Sequence, residues 1–159
     1  MNFTIRSAVP GDEATILGLI RALADYEKLA HLVEASEADI SRDLFGPNPR
    51  VFCEIAESDG QPAGFALWYY TYSTFLGKHG IWLEDLFVDR ESRGNGAGRA
   101  LMVHLAKKCA HENLGRFEWW VLDWNEPSIA FYNSLGAVMQ DEWSVCRIEG
   151  DALSGLARL

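Results

Sequence analysis

Residues 93–98 read Arg93-Gly94-Asn95-Gly96-Ala97-Gly98, and their flanks decide the fold. Before them, Ile81-Trp82-Leu83-Glu84-Asp85-Leu86-Phe87-Val88 is apolar and β-rich. After them, Leu101, Met102, Leu105, Ala106 and Cys109 repeat at helical spacing. A glycine-rich turn between a strand and a helix lets backbone N–H groups approach an anion. The partial positive charge of the helix N-terminus makes a phosphate or pyrophosphate the expected guest.

Three glycine-loop patterns compete. The Walker pattern needs Gly-Lys-Ser/Thr, but Gly98 is followed by Arg99 and Ala100. The dinucleotide pattern started at Gly94 meets Arg99 where glycine is required; started at Gly96 it meets Leu101. Arg/Gln-x-x-Gly-x-Gly/Ala is satisfied by Arg93, Gly96 and Gly98. Further along the chain stand Tyr26-Glu27, Gly64-Phe65-Ala66, Tyr70-Thr71-Tyr72, Leu83-Glu84-Asp85, Trp124-Asn125-Glu126-Pro127-Ser128 and Phe131-Tyr132. In this order the segments resemble the GNAT superfamily of N-acetyltransferases, in particular its spermidine/spermine, diamine and thialysine branch. The resemblance covers roughly residues 3 to 148. One departure is Ser73, where polyamine enzymes of that branch carry an acidic residue; it leaves room for a shorter amine.

The element order is β-α-α-β-β-β-α-β-α-β-β. Strands are expected near 3–8, 51–56, 63–70, 81–88, 116–122, 137–139 and 143–148, with a turn at Ser58-Asp59-Gly60-Gln61. Helices are expected from Asp12 towards Tyr26, over 37–44, after the glycine loop to about Glu112, and from Pro127 towards Gly136. This order predicts an α/β (α+β) domain over 1–159 with a mixed, mostly antiparallel sheet of six to seven strands. The resemblance implies helices on both faces and central strands that splay to admit the pantetheine arm of a cofactor.

Composition narrows the classes. Hydrophobic residues make up 48% and charged residues 23% of 159, as in ordinary globular domains. No apolar run reaches the roughly 20 residues of a membrane helix, and Met1–Arg6 lacks a signal-peptide layout, so a cytoplasmic protein without a membrane partner is expected. Fourteen basic residues against 23 acidic leave a net charge of −9, which disfavours a nucleic-acid partner. Cys53, Cys109 and Cys146, and His31, His79, His104 and His111, have no metal-ligand spacing; no metal is expected.

Moving an acetyl group from a thioester to an amine makes three demands. The amine must lose a proton, since an alkylammonium with pKa near ~10.4 has no lone pair. The developing oxyanion needs hydrogen-bond donors. The departing thiolate gains from an acid. Glu84, in an apolar strand beside the loop, is the candidate base. Burial would raise its pKa, and adjacent Asp85 should face the other way unless a bulge redirects one of them. The resemblance implies acetyl-CoA as co-substrate and Tyr132 as the acid. It implies cofactor contacts at Leu86, Phe87 and Val88 on the strand, at Arg93, Gly94, Asn95, Gly96, Ala97, Gly98 and Arg99 on the loop, and at Asn125 and Ser128. It also implies acceptor contacts at Tyr26 and Glu27, with Glu84, Asp85 and Trp119 as further candidates, and a homodimer completed by the C-terminal strands. The activity implied is N-acetylation of a diamine, polyamine or lysine-like amino acid. Acetylation of a protein lysine or N-terminus, or acyl-CoA binding without chemistry, are the alternatives.

Overall fold

Asp59 and Gly60 both take positive φ, 51° and 76°, so the turn between the first hairpin's strands is a two-residue turn whose twist matches the strands it joins. It pairs Ser58 with Gln61 and sets the register of β2 (Phe52–Ser58) against β3 (Gln61–Ser73). The structure, a computed structural model, describes residues 3–159. Its sheet has five strands in the order β1-β2-β3-β4-β5, where β1 is Phe3–Ser7, β4 is Lys78–Val88 and β5 is Phe117–Trp119. The first four are antiparallel neighbours; β5 runs parallel to β4. The chain divides into two units, one ending at Trp120 and one spanning Val121–Leu159.

In the first unit, helices cover both faces of the sheet, because alternate residues of β2 and β3 are apolar on each side. One face carries Cys53, Ile55, Phe65, Leu67 and Phe87. These pack with Ile16, Leu17 and Leu19 of α1 (Glu13–Tyr26) and Ile40 of α2 (Glu37–Phe45). Burying side chains of this size stabilises by about 1.5–3 kcal/mol each. The other face carries Glu54, Trp68 and Tyr70. They meet His104, Lys108 and Glu112 at successive turns and the C-terminal cap of α3 (Ala97–His111). Gly64 lets β3 and β4 close: a Cβ there would stand 2.6 Å from the Phe87 carbonyl oxygen.

α2 begins with a reciprocal cap, Ser36 and Asp39 each satisfying the other's backbone N–H. The entry to α1 is held differently. Asp12 accepts two bonds from Arg6 (2.7 and 3.0 Å) and one from the Val9 amide (2.8 Å). Arg6 therefore keeps the Asp12 carboxyl below its ordinary range.

The second unit contains α4 (Glu126–Ser134) and α5 (Gly150–Leu156) and no strand. The expected strands at 137–139 and 143–148 are absent, so the sheet stops at five. The alternating apolar pattern is real, but Val138, Trp143, Val145 and Ile148 are exposed. No neighbouring strand receives their backbone groups, and strand pattern without a pairing edge does not make a strand. The fifth strand is also shorter than the expected 116–122.

Candidate active site

The register of β4 contains one irregularity, and it falls on the carboxylates. Leu67 pairs with Asp85 and Trp68 with Leu83, which leaves Glu84 as an extra, unpaired residue. A bulge of this kind breaks the alternation of faces. Asp85, opposite Leu67, lies on the α1 face. Glu84 accepts a bond from the Trp82 indole N–H (2.9 Å) and one from the Tyr69 hydroxyl, and Trp82 and Tyr69 are paired on that same face. Both carboxylates therefore look towards α1, the outcome expected if a bulge redirects one of two adjacent strand residues.

Their environments differ. Glu84 is exposed, whereas Asp85 is half-buried. Burial pushes the Asp85 carboxyl up to about 7, and the negative charges of Glu84 and Glu27 add to the shift. Glu27, just after α1, is itself raised by burial. A carboxyl poised near neutrality is a competent proton acceptor for chemistry near pH 7.

Beyond the bulge, β4 outruns its neighbour. It pairs with β5 only from Ile81 to Leu83, so Glu84–Val88 have no β5 partner. The Asp89 amide donates to the Ala63 carbonyl (2.9 Å), so Asp89 faces β3. Alternation along the strand then turns the N–H groups of Leu86 and Val88 to the edge that β5 leaves. Phe87, expected to offer its amide there, instead turns it towards β3.

The loop follows directly. Gly94 (φ 76°) and Gly96 (φ 95°) hold left-handed conformations that L-residues rarely take, and an added Cβ at either would meet nothing within 4 Å. The space beside the backbone is open. Gly96 caps α3 without a side chain, and the first turn has no acidic residue. The amides of Ala97, Gly98 and Arg99 have no acceptor within the helix by geometry. Together with the exposed Arg90 and Arg99, this backbone fits a diphosphate. Asn95 lies in the same exposed turn. Arg93, expected at the cofactor, makes contacts within the protein. Its amide donates to Arg90, its Nε donates to the Val88 carbonyl (2.8 Å), and its guanidinium lies over the Tyr26 (4.7 Å) and Phe87 (5.3 Å) rings. Arg93 braces the loop against β4 and α1. Tyr26 is thereby tied to the loop, while Glu27 sits within electrostatic reach of Asp85.

Trp119 pairs with Leu83, which itself pairs with Trp68, so its ring belongs to the α3 face beside Phe117 (5.0 Å) and not to the carboxylate face. Trp82 and Trp120 take the aromatic place near Glu84, with ring centroids 5.1 Å apart at 85°. Leu83 and Leu86 are three apart and both serve the α3 face, a spacing that period-two alternation forbids without an inserted residue. In the second unit, the Asn125 side chain caps α4 by accepting the Ser128 amide (3.4 Å), and Pro127 occupies the first turn. Tyr132 stands two turns along the same helix, its ring 5.3 Å from that of Phe131. Among the described residues, no three His, Cys, Asp or Glu side chains are grouped to hold a metal, and no helix is long and apolar enough to cross a membrane.

Known proteins match this arrangement. The family model described as "Acetyltransferase (GNAT) family" matches residues 14–137. The pig thialysine N-epsilon-acetyltransferase is 38% identical over 96% of each chain. The L-ornithine N5-acetyltransferase of Arabidopsis thaliana is 30% identical over 98% of this chain and 88% of its own. Among solved structures, an integron cassette protein from the mobile metagenome of V. cholerae superimposes with a TM-score of 0.83 at 27% identity, covering 100% of this chain and 99% of that one. A glycine turn that opens a helix, a strand that outruns its neighbour, and these matches lead to one conclusion: the chain belongs to the GNAT acetyltransferase family and is an acetyltransferase.

Proposed function

We propose that the protein transfers the acetyl group of acetyl-CoA to a primary amine of a small cationic acceptor, such as a diamine or a lysine-like amino acid, by direct attack of the amine. The observation that carries this reading is β4 itself. Over five residues it presents two carboxylates towards α1, two amides along an open edge, and then the glycine loop. The relatives that acetylate thialysine and ornithine support the acceptor class.

Acetyl-CoA supplies an acyl carbon activated as a thioester. The amides from Gly94 to Arg99 hold its diphosphate, and those of Leu86 and Val88 hold the arm that leads from it. Asp85 takes the proton that an ammonium must lose before it can attack, directly or through a water. Tyr26 and Glu27 line the acceptor side, and the Glu27 charge helps keep the Asp85 carboxyl high. From α4, Tyr132 returns a proton to the departing sulfur, while Asn125 and Ser128 set the start of that helix for cofactor contact. The protein acts as a single catalytic domain and a cytoplasmic homodimer. The exposed alternating residues Val138, Trp143, Val145 and Ile148 gain partners in that dimer.

The test is to mix the protein with acetyl-CoA and a panel of amines and peptides and to follow thiol release. Turnover with diamines, ornithine or thialysine is the expected outcome. Thermal stabilisation by CoA without turnover on any amine or peptide would sink the enzymatic reading and leave a binder.

A further inference from the structure

Asn95-Gly96 lies in the middle of the glycine loop, and it is the only asparagine-glycine pair in the chain. An asparagine followed by glycine carries its own reaction. The glycine amide nitrogen, on losing its proton to a base in solvent, attacks the carbonyl carbon of the asparagine side chain. An N–C bond forms, the C–NH2 bond breaks, and ammonia leaves with a proton taken from water. Water then opens the five-membered succinimide at either carbonyl. One opening gives aspartate. The other gives isoaspartate, in which the main chain gains the side-chain methylene.

Four other asparagines are described, and local structure hinders this route at each. Asn48 precedes Pro49, which has no amide N–H. After Asn113, the Leu114 amide already donates to the Cys109 carbonyl (2.9 Å), and the Asn113 side chain accepts from Lys78 (2.8 Å). Asn125 is buried, and Asn133 lies inside α4, where backbone amides are engaged. Asn95 and Gly96 are both exposed and stand in the turn before the first residue of α3. Gly96 has no side chain to shield its nitrogen, and even an added Cβ would meet nothing within 4 Å. Attack passes through anions, first the amide nitrogen and then the tetrahedral oxyanion. The start of α3, with no acidic side chain in its first turn, and the exposed Arg90 and Arg99 favour negative charge here. Surroundings that suit a diphosphate also suit this reaction.

We infer that Asn95 is a modification site: in the cofactor-free protein it deamidates through the Gly96 succinimide, and a bound CoA diphosphate, by occupying the loop amides and fixing the turn, prevents this. The protection rests on the reading of the loop given above; the reactivity of Asn95 does not. Either product places a carboxylate beside the diphosphate position. Isoaspartate also lengthens the main chain between amides that must converge. A molecule left without cofactor thus loses its capacity to take cofactor up.

The experiment holds the native protein at physiological temperature and mildly alkaline pH, with and without saturating CoA. Peptide mass spectrometry follows each asparagine, and isoaspartyl methyltransferase labelling reads the isoaspartate. Asn95 should be lost roughly tenfold or more faster than Asn113, because only glycine leaves its nitrogen unshielded. Saturating CoA should slow the loss of Asn95 roughly tenfold or more and leave Asn113 unchanged. Gly96→Ala should slow the loss in the cofactor-free protein. Aged native protein should bind CoA about fivefold or more weakly than fresh protein, the effect of one like charge nearby. Aged Asn95→Gln should bind CoA as its own fresh sample does. Loss at Asn95 no faster than at Asn113, or without isoaspartate, overturns the inference. So does CoA that raises the melting temperature yet leaves Asn95 loss unchanged, or slows both asparagines equally. A reactive Asn95 in a protein that CoA neither stabilises nor protects would uphold the modification site and defeat the cofactor reading of the loop.

Discussion

A single carboxyl sets the expected pH behaviour. Asp85 has its pKa raised to about 7 in the folded protein, first by burial and then by Glu84 and Glu27. As the base it must be ionised, so the rate should climb as pH rises through about 7. Asp85→Asn should lower kcat by about 100-fold or more. Glu27→Gln removes one negative neighbour and should move the limb of the pH–rate profile to lower pH. A limb unmoved by that change and a kcat untouched by Asp85→Asn would remove Asp85 from the mechanism. The sign for stability follows from the same shift. A carboxyl whose folded pKa is raised contributes stability that is full below its unfolded value, near 3.8, and is lost as pH rises through about 7. Asp85→Asn should therefore raise the melting temperature at pH 8 and change it little at pH 4. For Tyr132 the expected result is different. Tyr132→Phe should reduce kcat on the order of 100-fold and leave CoA-induced stabilisation in place. Undiminished turnover would show that the thiolate leaves unaided or takes its proton elsewhere.

At the level of elements, much could be read beforehand. The two-residue turn at Asp59-Gly60, the glycine loop and the helices after Asp12, Ser36 and Asn125 carry local chemistry that sequence displays directly. Glycine at positive φ, paired caps and proline in a first helical turn depend on neighbours a few residues away. The bulge at Glu84 was not legible in that way. It exists only relative to Leu67 and Trp68 of β3, 17 and 16 residues before Glu84, and the pairing of the two strands had to be seen. The same holds for the amides of Leu86 and Val88. Their direction follows from where Asp89 bonds, while side-chain pattern carries no record of which edge an N–H faces. Trp119 and Trp120 show the same limit: two neighbouring indoles lie on opposite faces, and only the register with Leu83 tells them apart. The loop yields its own prediction. Gly96→Ala forces a Cβ onto a left-handed residue at a cost of about 1–2 kcal/mol, with open space around it. The helix start should shift and CoA binding weaken, measured by titration, more than global unfolding changes in urea. Equal CoA affinity in the variant would mean that those amides do not hold the diphosphate.

For the whole molecule, the alternating apolar segment after α4 sets the expectation. The alternating pattern predicts strands where the structure has none, because a strand is a relation between two segments and, among the described residues, none pairs with this one. Sedimentation velocity should give a dimer, and Trp143→Glu, which places charge on that exposed row, should shift it towards monomer with the CoA response retained. A monomer at every concentration would leave those residues without a partner. The excess of acidic residues, 23 against 14, is also consistent with a protein that draws cations in and needs its few arginines near the loop. One earlier feature limits how such a chain can change its length. Glu84 is the residue in excess: it interrupts an alternation that is regular on either side of it. Deleting it would leave Asp85 opposite Leu67 and Leu83 opposite Trp68, each on the side it already occupies, with a plain ladder in place of the bulge. A one-codon loss at Glu84 should therefore spare the strand pairing, whereas the same loss at Phe87 would throw the residues after it onto the wrong side.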